Sequence, residues 1–321
     1  MAKAMKVSKV PLIVDTDTAG DDTVALLFAL KSPMIDLKAV TICAGNIGFD
    51  QEVENALYTV EVAGRSGEIP VYPGCRSPLL RSWKTVGHIH GEDGMGNSHF
   101  PKAKQRPEPQ HAVQAIVNLA NRYAGQLVIA GIAPLTNLAV ACQLDPDLPK
   151  KVKQVYLMAG ANQGLGNVTP AAEFNVWVDP DAAKIVFEAG FNLTMVGWEI
   201  CVRHSVLDDA AWDEIARWET DLSEFFLRVN RVAHQFSKRE QRLAGGTHPD
   251  ALTIAGIIEP SVFTSVKDRY LTVENRSELT RGMTVVDELG VLHREANTHV
   301  VYEADGAKFK ALLYELLQER W

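Results

Sequence analysis

The amino-acid sequence predicts an α/β fold with an open, mostly parallel central sheet flanked by helices. Short β-branched runs alternate with longer segments of helical period from residue 10 to residue 197. A cluster of aspartates directly follows the first hydrophobic run, where open α/β sheets place their ligands. No internal repeat or low-complexity linker divides the 321 residues, so the chain is interpreted as one domain over residues 1–321.

The first half of the chain supplies most of the alternation. The run VPLIV (10–14) predicts a strand, and DDTVALLFALKS (21–32) predicts a helix, because its first-turn aspartates suit the helix dipole and Pro33 follows its end. Further strands are expected at LKAVTIC (37–43), IPVY (69–72), QLVIAG (126–131), QVYLMAG (154–160) and NLTMVG (192–197), and further helices at 51–65, 111–124, 135–144 and 179–190.

Two later segments depart from this alternation. Residues 73–110 are rich in Gly, His, Pro and Ser, and a loop of this length is usually functional, so we expect it near the site. Residues 208–240 predict a mainly helical excursion from the sheet. A Gly-Gly-Thr-His-Pro turn then opens another helix, and the last fifty residues predict the strands YLTVE, GMTVVD and VVYEA and a closing helix, AKFKALLYELLQE.

Composition and charge exclude several classes of protein. With 32 Lys+Arg against 40 Asp+Glu, the formal net charge is −8, which argues against nucleic-acid and anionic-membrane partners. No apolar stretch approaches the ~20 residues that span a bilayer, and the amino terminus lacks the apolar core of a signal peptide. The four cysteines form no C-x-x-C pair and are expected to be free thiols. We therefore expect a soluble, cytoplasmic protein.

The most informative stretch is VDTDTAGDD, which places Asp15, Asp17, Asp21 and Asp22 within eight residues. Four carboxylates this close cannot all remain ionised without compensation. Asp21 or Asp22 could cap the following helix, but a cap uses one aspartate and leaves three unexplained. A hard divalent cation with oxygen ligands, Ca²⁺ or Mg²⁺, accounts for the cluster better.

Two known aspartate motifs match this stretch in part. An EF-hand loop beginning at Asp15 would have Gly20 correctly at its sixth position, but Ala19 and Leu26 stand where oxygen ligands belong, so the EF-hand is excluded. The nucleophile motif of haloacid-dehalogenase-like phosphatases begins well at Asp15 and Asp17, although Ala19 replaces its final Thr or Val. The phosphatase stays open as an alternative that does not explain the two later aspartates.

The pattern D-x-D-x-x-x-D-D after an amino-terminal strand resembles the signature of the nucleoside hydrolase family, the calcium-dependent N-ribohydrolases of inosine-uridine-preferring type. This resemblance implies a Rossmann-like core, hydrolysis of the N-glycosidic bond of ribonucleosides to ribose and free base in nucleoside salvage, and a homodimer or homotetramer. Further family-like landmarks follow in the family's order: AGN (44–46), HGEDGMG (90–96), APLTNLA (133–139), YLMAG (156–160), GNVTPAAEFNVWVDPDAA (166–183) and HPDALTIAGIIEP (248–260).

The resemblance also implies a role for each matching residue. Asp17 would be both a ligand of Ca²⁺ and the base that activates a Ca²⁺-bound water, and Asp15 would be a supporting carboxylate behind the ligands. The remaining ligands would be the carboxylates of Asp22 and Asp250 and the main-chain carbonyl of Thr136. The substrate would be contacted by Asp21, Asn46, His90, Met158, Asn167, Glu173 and Asn175.

Independently of the resemblance, acids and amides suit sugar hydroxyls. The segment EFNVWVDP is interpreted as a strand, in which Glu173 and Asn175 point to the same face because they are two residues apart.

The chain departs from the family pattern at the leaving-group position. Members that prefer inosine and uridine carry His immediately before the aspartate that matches Asp250, and purine-specific members carry Trp there, whereas this chain has Pro249. Proline can neither donate a proton nor stack as an indole does. His90 is the better candidate for a contact with the base or sugar, ahead of His88 and His248, and the aromatic wall could come from Trp83 and Trp198.

A function of another class stays open as well. A ribose- or nucleoside-binding module could keep the sugar and metal site and lose efficient catalysis, given Pro249. The four clustered aspartates argue against it, because a binding protein has less need of so concentrated a negative charge.

Overall fold

The computed structural model of the chain describes residues 9–162 and 166–321. Twelve strands and thirteen α-helices are present in this part of the chain. The strands are β1 (Val10–Thr16), β2 (Ile35–Ile42), β3 (Val71–Pro73), β4 (Val128–Gly131), β5 (Gln154–Met158), β6 (Leu193–Val196), β7 (Val206–Asp208), β8 (Gly245–Thr247), β9 (Phe263–Arg269), β10 (Leu271–Val273), β11 (Thr284–Val286) and β12 (Thr298–Ala304).

The helices alternate with the strands through the first two thirds of the chain. They are α1 (Gly20–Lys31), α2 (Phe49–Val62), α3 (Gly87–His90), α4 (Ala112–Arg122), α5 (Thr136–Leu144), α6 (Leu148–Lys151), α7 (Phe174–Val178), α8 (Pro180–Glu188), α9 (Trp198–His204), α10 (Asp209–Ala216), α11 (Asp221–Arg239), α12 (Pro249–Ile258) and α13 (Gly306–Leu317).

Eight of the strands form one central sheet in the order β3-β2-β1-β4-β5-β6-β12-β9. All neighbours are parallel except the edge pair of β12 and β9, so the predicted open, mostly parallel sheet is confirmed. Strand β9 was not predicted, because its sequence FTSVKDR is largely polar and mostly exposed at the sheet edge. Two-stranded ribbons join β7 to β8 and β10 to β11.

Helices cover both faces of the sheet, as predicted. One apolar core lies under α1, α2, α11, α12 and α13, and the other lies under α4, α5 and α8. Helix α1 packs against α12, α2, α11 and α13, which explains why nearly its whole circumference is apolar. The predicted helical excursion is confirmed as α10 and α11.

The interpretation of EFNVWVDP (173–180) as a strand was wrong. Phe174–Val178 forms the short helix α7, and Glu173 is its N-cap, with its carboxylate accepting hydrogen bonds from the main-chain N–H groups of Asn175 and Val176. This local capping satisfies two N–H groups that begin a helix and therefore outweighs the β-branched composition of the segment.

Two predictions about the whole chain can be compared with the structure. All four cysteines are free thiols, as expected, with three buried and Cys75 half-buried. In the part of the chain that the structure describes, no helix has both the length and the apolar character needed to cross a membrane.

Candidate active site at the carboxyl edge of the sheet

The carboxyl ends of four adjacent strands bring the predicted site residues together. Strands β2, β1, β4 and β5 are neighbours in the sheet, and their ends lead into the segments that carry Asn46, Asp17, Ile132 and Met158. All four of these residues line one cavity of about 240 Å³. Parallel strands that end at one edge of a sheet explain why residues more than a hundred positions apart meet here.

Nine of the twelve predicted site residues line this cavity. They are Asp17, Asp21, Asn46, His90, Met158, Asn167, Glu173, Asn175 and Asp250. Asp15, Asp22 and Thr136 do not line it, although Asp22 lies directly behind the lining residues. The long segment at 73–110 also reaches the cavity, through Val86 to His90, as its composition predicted.

Three aspartates converge at the polar end of the cavity. Asp21, Asp22 and Asp250 each place a carboxylate oxygen within 4.8 Å of the other two. Asp22 is held in place by Thr16, whose hydroxyl donates to Oδ1 at 2.6 Å, and by the main-chain N–H of Ala19, which donates to Oδ2 at 2.9 Å. The structure thus fixes one member of the group and leaves the others facing the cavity.

Asp17 and Asp21 carry carboxylate oxygens that accept no hydrogen bond from the described residues. Both carboxylate oxygens of Asp17 and Oδ1 of Asp21 are buried and have no hydrogen-bond partner among the described residues. Burial raises the pKa of Asp17 well above its usual range, and repulsion by Asp22 raises it further. Burial and the neighbouring aspartates act in the same direction on the pKa of Asp250. Unpartnered carboxylate oxygens at this density fit a hard cation.

Asp15 and Thr136 occupy supporting positions away from the cavity. Asp15 Oδ1 accepts hydrogen bonds from the Thr41 hydroxyl at 2.5 Å and from Asn137 Nδ2 at 2.8 Å. The Thr136 hydroxyl donates to Asp179 Oδ2 at 2.7 Å. At the end of β4 it is Ile132 that lines the cavity, four residues before Thr136. The structure thus places Ile132, rather than Thr136, at the cavity wall.

Glu173 and Asn175 also line the cavity. Glu173 Oε2 accepts a hydrogen bond from the Gly160 N–H at 2.8 Å, and burial raises its pKa to about 7. Asn175 Nδ2 donates to the Met158 carbonyl at 3.0 Å and to the Ile132 carbonyl at 3.3 Å. These bonds fix both side chains from behind, so that they face the cavity in a defined orientation.

His90 is the histidine that lies closest to the aspartates. Its Nδ1 is 3.6 Å from Asp21 Oδ1, and its side chain is largely buried. Burial lowers the pKa of His90 to about 4, because the cation is poorly solvated there. His90 is therefore neutral at physiological pH and offers a hydrogen bond rather than a positive charge.

The other histidines near the site have different surroundings. His88 lines the cavity and is exposed, with its ring edge-on to Phe236 at 5.7 Å between centroids. His248 does not line the cavity; its buried ring packs on Phe226 at 5.1 Å. Pro249 does line it, so the position immediately before Asp250 faces the cavity without a proton donor.

The cavity is also lined by residues that the sequence did not single out. Trp198 lines it, as predicted for an aromatic wall, whereas Trp83 does not, because its indole N–H donates to the Gly45 carbonyl at 2.9 Å. Four lining residues come from α11 and the turn after it, and no motif in the sequence placed them at the site. The additional lining residues include Phe174, Ala233, Phe236, Ser237, Gln241 and Thr247.

Comparisons with known proteins agree with this geometry. The sequence model of the family described as inosine-uridine preferring nucleoside hydrolase matches residues 12–311. The chain is 34% identical to the pyrimidine-specific ribonucleoside hydrolase RihA of Enterobacter sp. (strain 638), over 96% of this chain and 98% of that protein. It is 35% identical to the inosine-uridine preferring nucleoside hydrolase of Leishmania major, over 96% and 97% of the two chains.

Solved structures give the same result. The fold is similar to that of a plant nucleoside hydrolase, PpNRh1, with a TM-score of 0.92 and 29% identity over 97% of this chain and 99% of that one. A purine-preferring ribonucleoside hydrolase from Gardnerella vaginalis has a TM-score of 0.90 and 27% identity over 96% and 98% of the two chains. The chain therefore belongs to the inosine-uridine preferring nucleoside hydrolase family, and it is a hydrolase that acts on the N-glycosyl bond of ribonucleosides.

Proposed function

We propose that this chain hydrolyses ribonucleosides to ribose and free base with the help of Ca²⁺ and with Asp17 as the general base. The observation that carries the proposal is the group of buried aspartates, in which both Asp17 oxygens and Asp21 Oδ1 have no hydrogen-bond partner among the described residues. Oxygens of Asp21, Asp22 and Asp250 lie within 4.8 Å of one another. The donor set consists of oxygens alone, which favours a hard cation over zinc or copper. The carboxylates of Asp17, Asp22 and Asp250 would hold the ion, and the Ile132 carbonyl would take the place first assigned to Thr136.

Hydrolysis of an N-glycosidic bond needs a nucleophilic water and an environment that stabilises an oxocarbenium-like ribosyl cation. When bound, Ca²⁺ would lower the pKa of a water molecule and orient it. Asp17 would accept the proton of the attacking water, because its two oxygens face the cavity with no other partner. The negative charges of Asp21 and Asp250 would stabilise the developing positive charge on the sugar.

The polar lining of the cavity supplies the contacts for ribose. Carboxylates accept hydrogen bonds from hydroxyls, and amides both donate and accept. Asp21, Asn46, Glu173 and Asn175 line the cavity together with Asn167, whose Oδ1 accepts a bond from the Phe174 N–H at 2.9 Å. Met158 would pack near the sugar, and neutral His90 would contact the sugar or the base.

The base would occupy the part of the cavity that is lined by aromatic and apolar side chains. Trp198 and Phe236 offer ring faces, and Gln241 offers an amide. Relatives at similar identity carry names that specify pyrimidine, inosine-uridine or purine preference, so overall identity assigns no base. The proposed substrate class is therefore the ribonucleosides as a group.

Two further properties belong to the same proposal. We propose a cytoplasmic location, supported by the four free cysteines, since free thiols persist in reducing compartments. We also propose a homodimer or homotetramer, for which the support is the family resemblance. Light scattering of the purified chain measures the second property, and a single species of monomer mass would contradict it.

One assay distinguishes the candidate functions. Release of reducing sugar is measured over a panel of purine and pyrimidine ribonucleosides, with EDTA and after addition of Ca²⁺ or Mg²⁺. Release that EDTA abolishes and Ca²⁺ restores is the expected result. Tight binding of ribose without release would indicate a binding module, and release of phosphate from phosphomonoesters would indicate the phosphatase.

A further inference from the structure

The structure contains a buried glutamate, Glu52, that the proposed chemistry does not use. We propose that Glu52 is a positioning residue, whose carboxylate holds the turn from Gly45 to Ile47 so that Gly45 lies against Asp17 and Asn46 reaches the aspartate cluster. This inference rests on the proposed function, because the placement of Asp17 and Asn46 affects turnover only in a nucleoside hydrolase.

Glu52 lies in the first turn of α2 and is fully buried. Its Oε1 accepts two hydrogen bonds, from the N–H of Gly45 at 3.1 Å and from the N–H of Ile47 at 3.0 Å. Its Oε2 is buried and has no hydrogen-bond partner among the described residues. A buried carboxylate with one unpartnered oxygen costs stability, so its presence indicates a requirement of the site rather than of the fold.

The turn that Glu52 holds contacts the catalytic groups directly. A β-carbon at Gly45 would lie 2.0 Å from Asp17 Oδ2, so the main chain of the turn borders the carboxylate of the proposed base. The next residue, Asn46, lines the cavity, and its Nδ2 donates to Asp22 Oδ2 at 3.3 Å. A shift of this turn would therefore move both the Gly45 main chain that borders Asp17 and the Asn46 side chain that is proposed to contact the sugar.

The same turn also anchors the segment that covers the other side of the cavity. The Gly45 carbonyl accepts a hydrogen bond from the Trp83 indole, and the Asn46 carbonyl accepts one from the Val86 N–H at 2.6 Å. Val86 lines the cavity and precedes α3, which carries His90. A continuous set of hydrogen bonds thus links Glu52 on α2, through the turn from Gly45 to Ile47, to Trp83 and Val86.

Substitutions at Glu52 distinguish the contribution of its hydrogen-bond acceptor from the contribution of its negative charge. Glu52→Gln keeps an oxygen that can accept both N–H groups, whereas Glu52→Ala leaves two buried donors without a partner. Glu52→Asp keeps the charge and withdraws the oxygens by one methylene, and it replaces Glu52→Ala if that variant does not fold. Glu54→Ala is the matched control, because Glu54 also lies on α2 and its Oε1 accepts a main-chain N–H, that of Ala103, outside the cavity.

The experiment measures kcat and KM with one ribonucleoside, thermal stability, Ca²⁺ affinity by calorimetry, and hydrogen exchange of peptides that cover residues 43–48. We expect Glu52→Ala to lower kcat/KM by about 10- to 100-fold, the range for residues that orient ligands from behind. In Glu52→Ala, hydrogen exchange at Gly45 and Ile47 should become faster. Glu52→Gln should keep most of the wild-type turnover. Glu54→Ala should lose thermal stability without losing turnover.

Three results would overturn the proposal. The first is Glu52→Ala with kcat/KM and exchange both at the wild-type level. The second is an equal loss of kcat/KM in Glu54→Ala, which would assign the effect to general destabilisation. The third is a wild-type chain that releases no ribose, in which case the proposed function and this inference both fail. If the wild-type chain is active and Glu52→Ala is unaffected, this inference alone fails.

Discussion

Gly45 borders the carboxylate of Asp17 so closely that a β-carbon at this position would lie 2.0 Å from Oδ2. Real β-carbons are not found at such distances, so Gly45→Ala must displace Asp17 or the turn. Gly48, in the same loop, has no atom within 4 Å of a β-carbon built there. The pair of glycines therefore distinguishes contact with Asp17 from a general effect of adding a methyl group to the loop.

We expect Gly45→Ala to lower kcat by about 100-fold, the cost of a misplacement of roughly 1 Å at a catalytic group. Gly48→Ala should retain turnover and thermal stability. Steady-state kinetics and thermal unfolding of both variants measure this. Equal kinetics of the two variants would show that the approach of Gly45 to Asp17 has no catalytic consequence.

Asp17→Asn tests the general base directly. The amide cannot accept the proton of an attacking water, and general-base catalysis contributes about 10²- to 10⁴-fold, so we expect kcat to fall by that factor. KM should change less, because the sugar contacts of Asn46, Glu173 and Asn175 stay in place. Asp50→Asn is the control, since the Asp50 side chain is 83% exposed and pairs with Arg76. Retention of most of the wild-type kcat would disprove the role of Asp17.

The buried acids also predict how stability depends on pH in the EDTA-treated protein. Burial raises the pKa of Asp22 to about 7, of Glu173 to about 7 and of Glu52 to about 8. Between about pH 6.5 and about pH 8 the folded protein therefore binds more protons than the unfolded chain, and its stability falls as pH rises through this range. The lowered pKa of His90 acts in the opposite direction but only below its ordinary value of 6.5.

We therefore expect the melting temperature with EDTA to fall from about pH 6.5 to about pH 8, as the folded-state carboxylates ionise. Saturating Ca²⁺ should reduce this fall, because a cation that binds only the folded state compensates the negative charge and stabilises it by mass action. Thermal scans with EDTA and with Ca²⁺ in matched buffers measure both effects. A melting temperature that rises with pH in EDTA would contradict the assignment of buried acids to this site.

Most of the sheet and of the polar site could be predicted from the sequence, for a physical reason. Parallel strands are buried on both faces and read as continuous apolar runs, and a polar residue that directly follows such a run must lie at the sheet edge where ligands bind. Asp17, which directly follows β1, obeys this rule, and Asn46 lies four residues beyond the end of β2 at the same edge. Asp250 was located by its family-like motif rather than by periodicity.

Other parts could not be predicted from the sequence, for equally specific reasons. The proposed main-chain ligand Ile132 lies one turn before α5 begins at Thr136, and no side-chain pattern marks a main-chain carbonyl. The interpretation of EFNVWVDP (173–180) as a strand is wrong because the cap made by Glu173 begins the helix α7. Ala233, Phe236, Ser237 and Gln241 belong to no recognisable motif, and α11 and the turn after it reach the cavity only through tertiary packing.

The base end gives the last prediction, which concerns Gln241. Its amide lines the cavity together with Ala233 and Phe236 and offers both a donor and an acceptor, so it is placed to recognise a base by hydrogen bonding. We expect Gln241→Ala to raise KM for the preferred ribonucleoside by about 10-fold, the cost of one lost hydrogen bond in a desolvated site. Hydrolysis of p-nitrophenyl β-D-ribofuranoside, whose leaving group lacks the donors and acceptors of a nucleobase, should be unaffected. Gln114→Ala, at an exposed position on α4, is the control. If Gln241→Ala impairs both substrates equally, Gln241 acts on the sugar or on the fold, and recognition of the base must be assigned to Ser237 or Thr247 instead.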